Sequence, residues 1–140
     1  MKITPIGSKV HKVILTPKEQ TESPKKGKKD TKNTNATLKL DNELYLNKNN
    51  SKLFRARYKI HVEIEDSAEI DVIYDFDFKS DTDVDQSLVS SMVIRSQVPT
   101  LVYPYIKTYL EQFLLMSGYG SIPLPYVDFV QNPIPGKATD

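Results

Sequence analysis

Asp81, Asp83 and Asp85, in the run "DFDFKSDTDVDQ", have the one-three-five spacing of a calcium loop, in which alternate carboxylates converge on one hard cation. The pattern stops there. Gln86 stands where such a loop needs glycine, and Met92 where it needs the bidentate glutamate. The run reads instead as the solvent face of a strand leading into an acidic helix start, where negative charge favours the helix N-terminus. Asp75 and Asp77 share a strand face, a spacing that could serve acid–base work, but no partner base is implied. The two histidines, His11 and His61, sit on predicted strands beside lysines and read as exposed strand residues rather than as ligands or bases. No nucleophile elbow and no phosphate-binding glycine loop occurs; the five glycines are scattered singly. Cysteine is absent, which removes thiol nucleophiles, thiolate metal sites and disulfides. The expectation is a protein that is not an enzyme and needs neither cofactor nor metal.

These side chains need elements to hold them. With 140 residues the chain is expected to form one domain, 1–140, long enough to bury a real core. Its start lacks an apolar core of secretory type and no run could span a bilayer, so a soluble, cytoplasmic protein without membrane insertion is expected. Charge is segregated. Residues 1–36 carry nine lysines against three acids, and residues 63–85 carry ten acids against one lysine. Such asymmetry bears on partners rather than on fold.

The segment "KVHKVILTP" predicts a first strand at about 9–16. Residues 18–35, "KEQTESPKKGKKDTKNTN", hold no hydrophobic residue and read as a flexible basic loop. A nucleic-acid or membrane patch is the functional alternative. No aromatic residue is interleaved there for base stacking, and an acidic sheet would repel phosphate, so no nucleic-acid partner is expected. Leu38, Leu40, Leu44 and Leu46 fall on one parity of a second strand at 36–47. In "LFRARYKIHVEIE", 53–65, Phe54 to Ile64 alternate strictly with Arg55 to Glu65, the strongest period-two pattern in the chain. "DSA" makes a tight turn, and "EIDVIYDFDF" alternates again over 69–78. The result is an antiparallel meander with one apolar and one charged face. Its charged face is expected to be acidic toward the end of the third strand and along the fourth.

Asp83 or Asp85 could cap a short helix running to about Arg95. A second, long helix is predicted from near Pro99–Pro104 to Gly118. At 100° per residue, Tyr105, Met116, Tyr109, Phe113, Ile106, Leu110 and Leu114 fill an apolar arc, with Lys107, Thr108, Glu111 and Gln112 opposite. Leu115 and Leu101 point to the polar side as well. A helix covering one sheet needs only a stripe of about 100°. The excess implies a second surface, either another subunit or a ligand groove, unless a folded-over C-terminal segment covers it. After the helix, "SIPLPYVDF" reads as extended, and residues 131–140 as a disordered tail.

Four strands with a long loop after the first, a short helix and then "PTLVYPYIKTYLEQFLLMSGYGSIPLPYVDF" resemble the SecB family of export chaperones. Val102, Tyr103, Pro104 and Tyr105 match the family's segment of the form [LF]-[FY]-P-Y-A-R, with Ile106 in place of alanine and Lys107 in place of arginine. Gly118 matches the helix-ending glycine. Leu124, Val127, Asp128 and Phe129 resemble the Leu…Val-Asn-Phe ending, with Tyr126 in place of proline.

The resemblance implies an α+β fold: a four-stranded antiparallel sheet packed by a long helix in the C-terminal half plus a short helix. It implies a dimer of dimers, a homotetramer, and an ATP-independent holdase activity on unfolded polypeptide or preprotein clients, which the family delivers for export. Clients would lie in a groove of aromatic and aliphatic side chains, for which Tyr103, Tyr105, Tyr109, Phe113, Tyr119, Tyr126 and Phe129 are the groove or interface candidates. The family's acidic sheet face and acidic tail contact the SecA motor; the resemblance gives that partner-binding face to Glu63, Glu65, Glu69, Asp71 and Asp75, whereas "GKATD", with one acid and one lysine, is not expected to serve as such a tail. The alternative is a SecB-fold adaptor dedicated to one partner, an antitoxin or a phage component.

Overall fold

A computed structural model describes residues 1–19 and 35–136. Most of the basic segment read at 18–35, and the last residues of the tail, lie outside the described residues.

Four strands form one antiparallel sheet: β1 (Ile3–Pro17), β2 (Ala36–Leu46), β3 (Leu53–Ile64) and β4 (Ala68–Ser80). The order across the sheet is β1-β4-β3-β2. β2, β3 and β4 are the meander that the period-two patterns predict, and β1 closes on the far side, beside β4. The β3–β4 turn is tight because Asp66 takes a left-handed conformation, φ 60°, and Ser67 N–H donates to the Ile64 carbonyl at 3.0 Å. Aspartate tolerates that conformation better than most residues.

β1 starts six residues earlier than the alternation of "KVHKVILTP" suggests. Its register against β4 shifts between Pro5 and Gly7 and again between Val10 and Lys12. Each bulge adds one residue, so inward positions do not keep one parity along the strand.

The inward face carries the core. Tyr58, Val62, Ile64 and Ile70 are fully shielded from solvent, as are Ile106, Leu110 and Leu114 of the helix that covers them. Asp85 caps a single 3-10 turn, Gln86–Ser90, its Oδ1 accepting from Ser87 N at 3.0 Å. A π-helical turn, Val93–Gln97, then runs directly into the long helix α1, Val98–Met116. The predicted short helix is thus split, and its second half joins α1. Pro99 is the second residue of α1, and the Arg95 carbonyl four residues before it accepts from Ile134 N–H instead; Pro104 lies inside the helix, on its exposed side. Gly118, φ 95°, ends α1 in a Schellman motif: Tyr119 N–H donates to the Leu114 carbonyl at 2.9 Å and Gly118 N–H to that of Leu115 at 3.3 Å.

Residues 117–136 run back over the helix as an extended strap. Ile122, Leu124, Phe129 and Ile134 insert into the core. Glu111 ties helix to strap: one carboxylate oxygen accepts from Lys107 Nζ at 2.7 Å and from Leu124 N at 2.8 Å. Burial opposes the charge on Glu111, yet those two donors hold its pKa below the usual value. The disorder expected from residue 131 onward does not extend over 131–136. Ile134 N–H donates to the Arg95 carbonyl and Arg95 Nε to the Ile134 carbonyl, both at 2.9 Å. Buried apolar surface at Ile134 and two hydrogen bonds outweigh the entropy of fraying. No helix among the described residues is long and apolar enough to cross a membrane.

Candidate functional site

Two surfaces carry side chains beyond what the fold needs. The first is aromatic. Tyr109, half-buried on α1, meets Tyr74 of β4 edge to face at 5.5 Å and stacks on Phe113, one turn along, at 5.9 Å. Tyr74 stacks on Phe76 at 4.5 Å, and Phe76 reaches Tyr105 at 6.4 Å. Phe113, Tyr109, Tyr74, Phe76 and Tyr105 thus form one unbroken aromatic strip between helix and sheet. It runs from buried (Phe76) to open, and Tyr105 is 63% exposed. Burial pushes the Tyr109 hydroxyl pKa up. Beside this strip, Leu101, Leu115 and Met116 are exposed on the outer side of α1, Met116 at 82%. The strap covers other parts of the helix and leaves these residues open.

The predicted groove residues therefore separate. Tyr105, Tyr109 and Phe113 come together. Tyr103 and Phe129 pack edge to face at 5.7 Å inside the core, and the Tyr103 hydroxyl donates to the Pro125 carbonyl at 2.6 Å. Burial pushes that hydroxyl pKa up to about 12. Tyr119 is half-buried against the core at the helix end. Tyr126 stands alone on the strap, 83% exposed. Tyr74 and Phe76 join the strip although they are not among the groove residues expected from sequence. Their signal was the strand parity, which marks them as inward but not as bordering an open helix flank.

The second surface is the outer face of the sheet. Register places Arg55 opposite Asp77, Arg57 between Asp75 and Glu43, Lys59 opposite Asp41 and His61 opposite Asp71. Arg55 Nε donates to Asp77 at 2.7 Å, and Lys59 Nζ lies 2.9 Å from Glu43. Arg57 also stacks its guanidinium over the Tyr45 ring, 5.3 Å from the centroid. Lys9 and Lys12 of β1 stand beside Asp75 and Ile73. The acidity expected along β4 is largely offset by the bases of β3, which pair with it as a lattice of opposite charges. Asp75 in particular is 5% exposed, buried beneath Arg55 and Arg57, and is not presented to a partner.

Among the described residues of this face, acidic character is concentrated at the β3–β4 hairpin end. Glu63 and Glu69 face each other directly, Asp71 is next along, and Glu65 accepts from Asn35 Nδ2 at 3.2 Å. His61 is part of this group rather than a lysine neighbour facing solvent. Its Nδ1 lies 2.7 Å from Asp71, and that hydrogen bond raises its pKa, reinforced by Glu63 and Glu69. Sequence placed His61 on the correct face, but the cross-strand partners come from β4.

No family model matches this chain, and no curated protein matches its sequence. Solved structures do match its fold. The Mycobacterium tuberculosis Rv1957 SecB-like chaperone, in complex with a ChAD peptide from the Rv1956 HigA1 antitoxin, superposes with a TM-score of 0.68 at 14% identity, covering 90% of this chain and 88% of that one. A protein of unknown function from Streptococcus agalactiae gives a TM-score of 0.50 at 13% identity, over 90% of this chain and 98% of that one. At such identities the likeness speaks for architecture alone, and the architecture it establishes is a SecB-like fold.

Proposed function

We propose that this chain is an ATP-independent chaperone that holds polypeptide in a non-native form. The observation that carries the reading is the aromatic strip from Phe113 to Tyr105, open at one end and continuous with exposed aliphatic side chains on α1. Apolar contact is non-directional, so such a strip accepts many sequences. The neighbouring strand edge offers main-chain hydrogen bonds to an extended client. Tyr105, Tyr109 and Phe113 are the client-contacting residues in this proposal. Leu101, Leu115 and Met116 form the contact between copies in a homotetramer. Tyr103 and Phe129 support the fold beneath them.

A second reading is favoured by one observation: the SecB-like neighbour of known structure holds an antitoxin peptide. In that reading this chain is an adaptor for one partner, using the same strip. Delivery to the SecA motor receives no support from the sheet, whose outer charges largely cancel across the strands.

The test dilutes a denatured, slow-folding precursor into buffer with and without stoichiometric protein, then follows refolding and co-elution. Arrest of refolding with a co-eluting complex supports the holdase. Indifference to generic unfolded chains, combined with one tight partner recovered from the native host, supports the adaptor instead.

A further inference from the structure

We propose that the β3–β4 hairpin end binds a divalent transition-metal ion of the zinc type through His61, Glu63 and Glu69. His61 Nε2 lies 3.5 Å from Glu63 Oε2 and 3.6 Å from Glu69 Oε1. All three ligand atoms fall within 4.8 Å of one another. Those separations are too long for ordinary N–H···O hydrogen bonds, about 2.7–3.2 Å. They are close to the edges of a tetrahedron: bonds of about 2.0–2.2 Å to a central ion set ligand atoms about 3.3–3.6 Å apart.

The imidazole is already oriented for this role. With Asp71 Oδ1 2.7 Å from Nδ1, the neutral tautomer that keeps its proton on that nitrogen presents the Nε2 lone pair to the two glutamates. A carboxylate behind the histidine is the usual outer support of a metal-bound imidazole. The register supplies a separate indication. Arg55, Arg57 and Lys59 each stand opposite a carboxylate or are paired with one, whereas Glu63 stands opposite Glu69. Like charges directly across a ladder are destabilising, and a divalent ion between them would offset two negative charges where the His61 ring can offset one. Lys18 Nζ reaches Glu63 only at 3.9 Å.

One nitrogen and two oxygens select a borderline ion such as Zn²⁺ or Co²⁺ over Mg²⁺, which prefers oxygen alone. All three ligands sit on paired strands, so little ordering is needed on binding. Each remains partly exposed, which leaves the fourth position to water.

Titration of the untagged, chelator-treated full chain with zinc chloride, followed by calorimetry, tests the site, with cobalt absorption reporting its geometry. One equivalent per chain and a tetrahedral cobalt spectrum are expected. His61→Ala and the isosteric Glu69→Gln should each weaken binding at least tenfold, and Asp71→Asn about 10–100-fold through loss of support. His11→Ala, at the other histidine, should bind as the parent does. Circular dichroism confirms that each variant is folded. Absence of zinc binding, binding that survives His61→Ala, or equal affinity for magnesium overturns the proposal.

Discussion

Arg57 grips Asp75 with two parallel hydrogen bonds, Nε to Oδ1 at 2.8 Å and Nη2 to Oδ2 at 3.0 Å, on the outer face of a sheet whose inner face is the core. Burial alone would raise the Asp75 pKa. The hydrogen bonds and charge of Arg57, with the charge of Arg55, reverse that and hold it below the ordinary 3.8. Asp75→Ala leaves two guanidinium groups competing for Asp77 and should cost about 3 kcal/mol, as for one partner removed from a buried pair. Urea denaturation at neutral pH measures this.

The same pair predicts a pH dependence. A carboxylate with a depressed folded pKa stabilises fully above its unfolded value and loses that contribution as pH falls through the folded one. The Asp75 contribution is therefore intact above about pH 4, from the ordinary aspartate value, and is lost on further acidification. Asp75→Asn should lower stability at neutral pH and flatten its fall below pH 4. Thermal melts across pH 2–7 compare the two slopes; parallel slopes would contradict the assignment.

Glu111 is the latch of the C-terminal strap. Glu111→Ala strips Leu124 N–H of its acceptor and Lys107 of its partner. A cost of about 1–3 kcal/mol is expected, from the unsatisfied donor. Limited proteolysis should show faster cleavage within 117–136 than in the parent, while hydrogen exchange in β3 keeps its protection.

Binding and folding separate on α1. Tyr105 is mostly exposed, so Tyr105→Ala should leave the melting temperature nearly unchanged. It should weaken client capture by about 1–2 kcal/mol, or roughly five- to thirtyfold, as for an aromatic contact residue. Ile106, fully buried next to it, should show the converse, with about 2–5 kcal/mol lost from stability on truncation to alanine. Equal capture by Tyr105→Ala and the parent would remove the strip from the proposed function.

Met116 and Leu115 test the contact between copies. Met116→Lys places a charge on an already exposed position and should not unfold the chain. Light scattering on the parent should give the mass of four chains, and the variant should give a smaller species.

Much of this was legible along the chain. Strict alternation in 54–64, and in 69–78 with Ile73 as the one apolar residue on the charged parity, reveals both faces of β3 and β4, because each inward side chain is apolar. The helix stop at Gly118 was legible for the same local reason. β1 was less so: two bulges shift its parity, and its partner lies beyond two other strands. The neutrality of the outer face depends on register, which pairs the bases of β3 with acids from β2 and β4. Counting residues 63–85 as a block hides those bases. The strip was half legible, since Tyr105, Tyr109 and Phe113 share a helix flank while Tyr74 and Phe76 join them only across space.

The position of β1 has a consequence for how the chain is made. Its partners in β4 lie between 51 (Pro17 with Ala68) and 77 (Ile3 with Ser80) positions later. During synthesis the first strand emerges long before anything it can pair with. β2, β3 and β4 can zip as successive hairpins, but the edge of β4 stays open until β1 returns to it. Closure of such distant contacts is slow. Until it happens, a nascent protein whose proposed task is to shield other chains itself carries an unpaired strand edge.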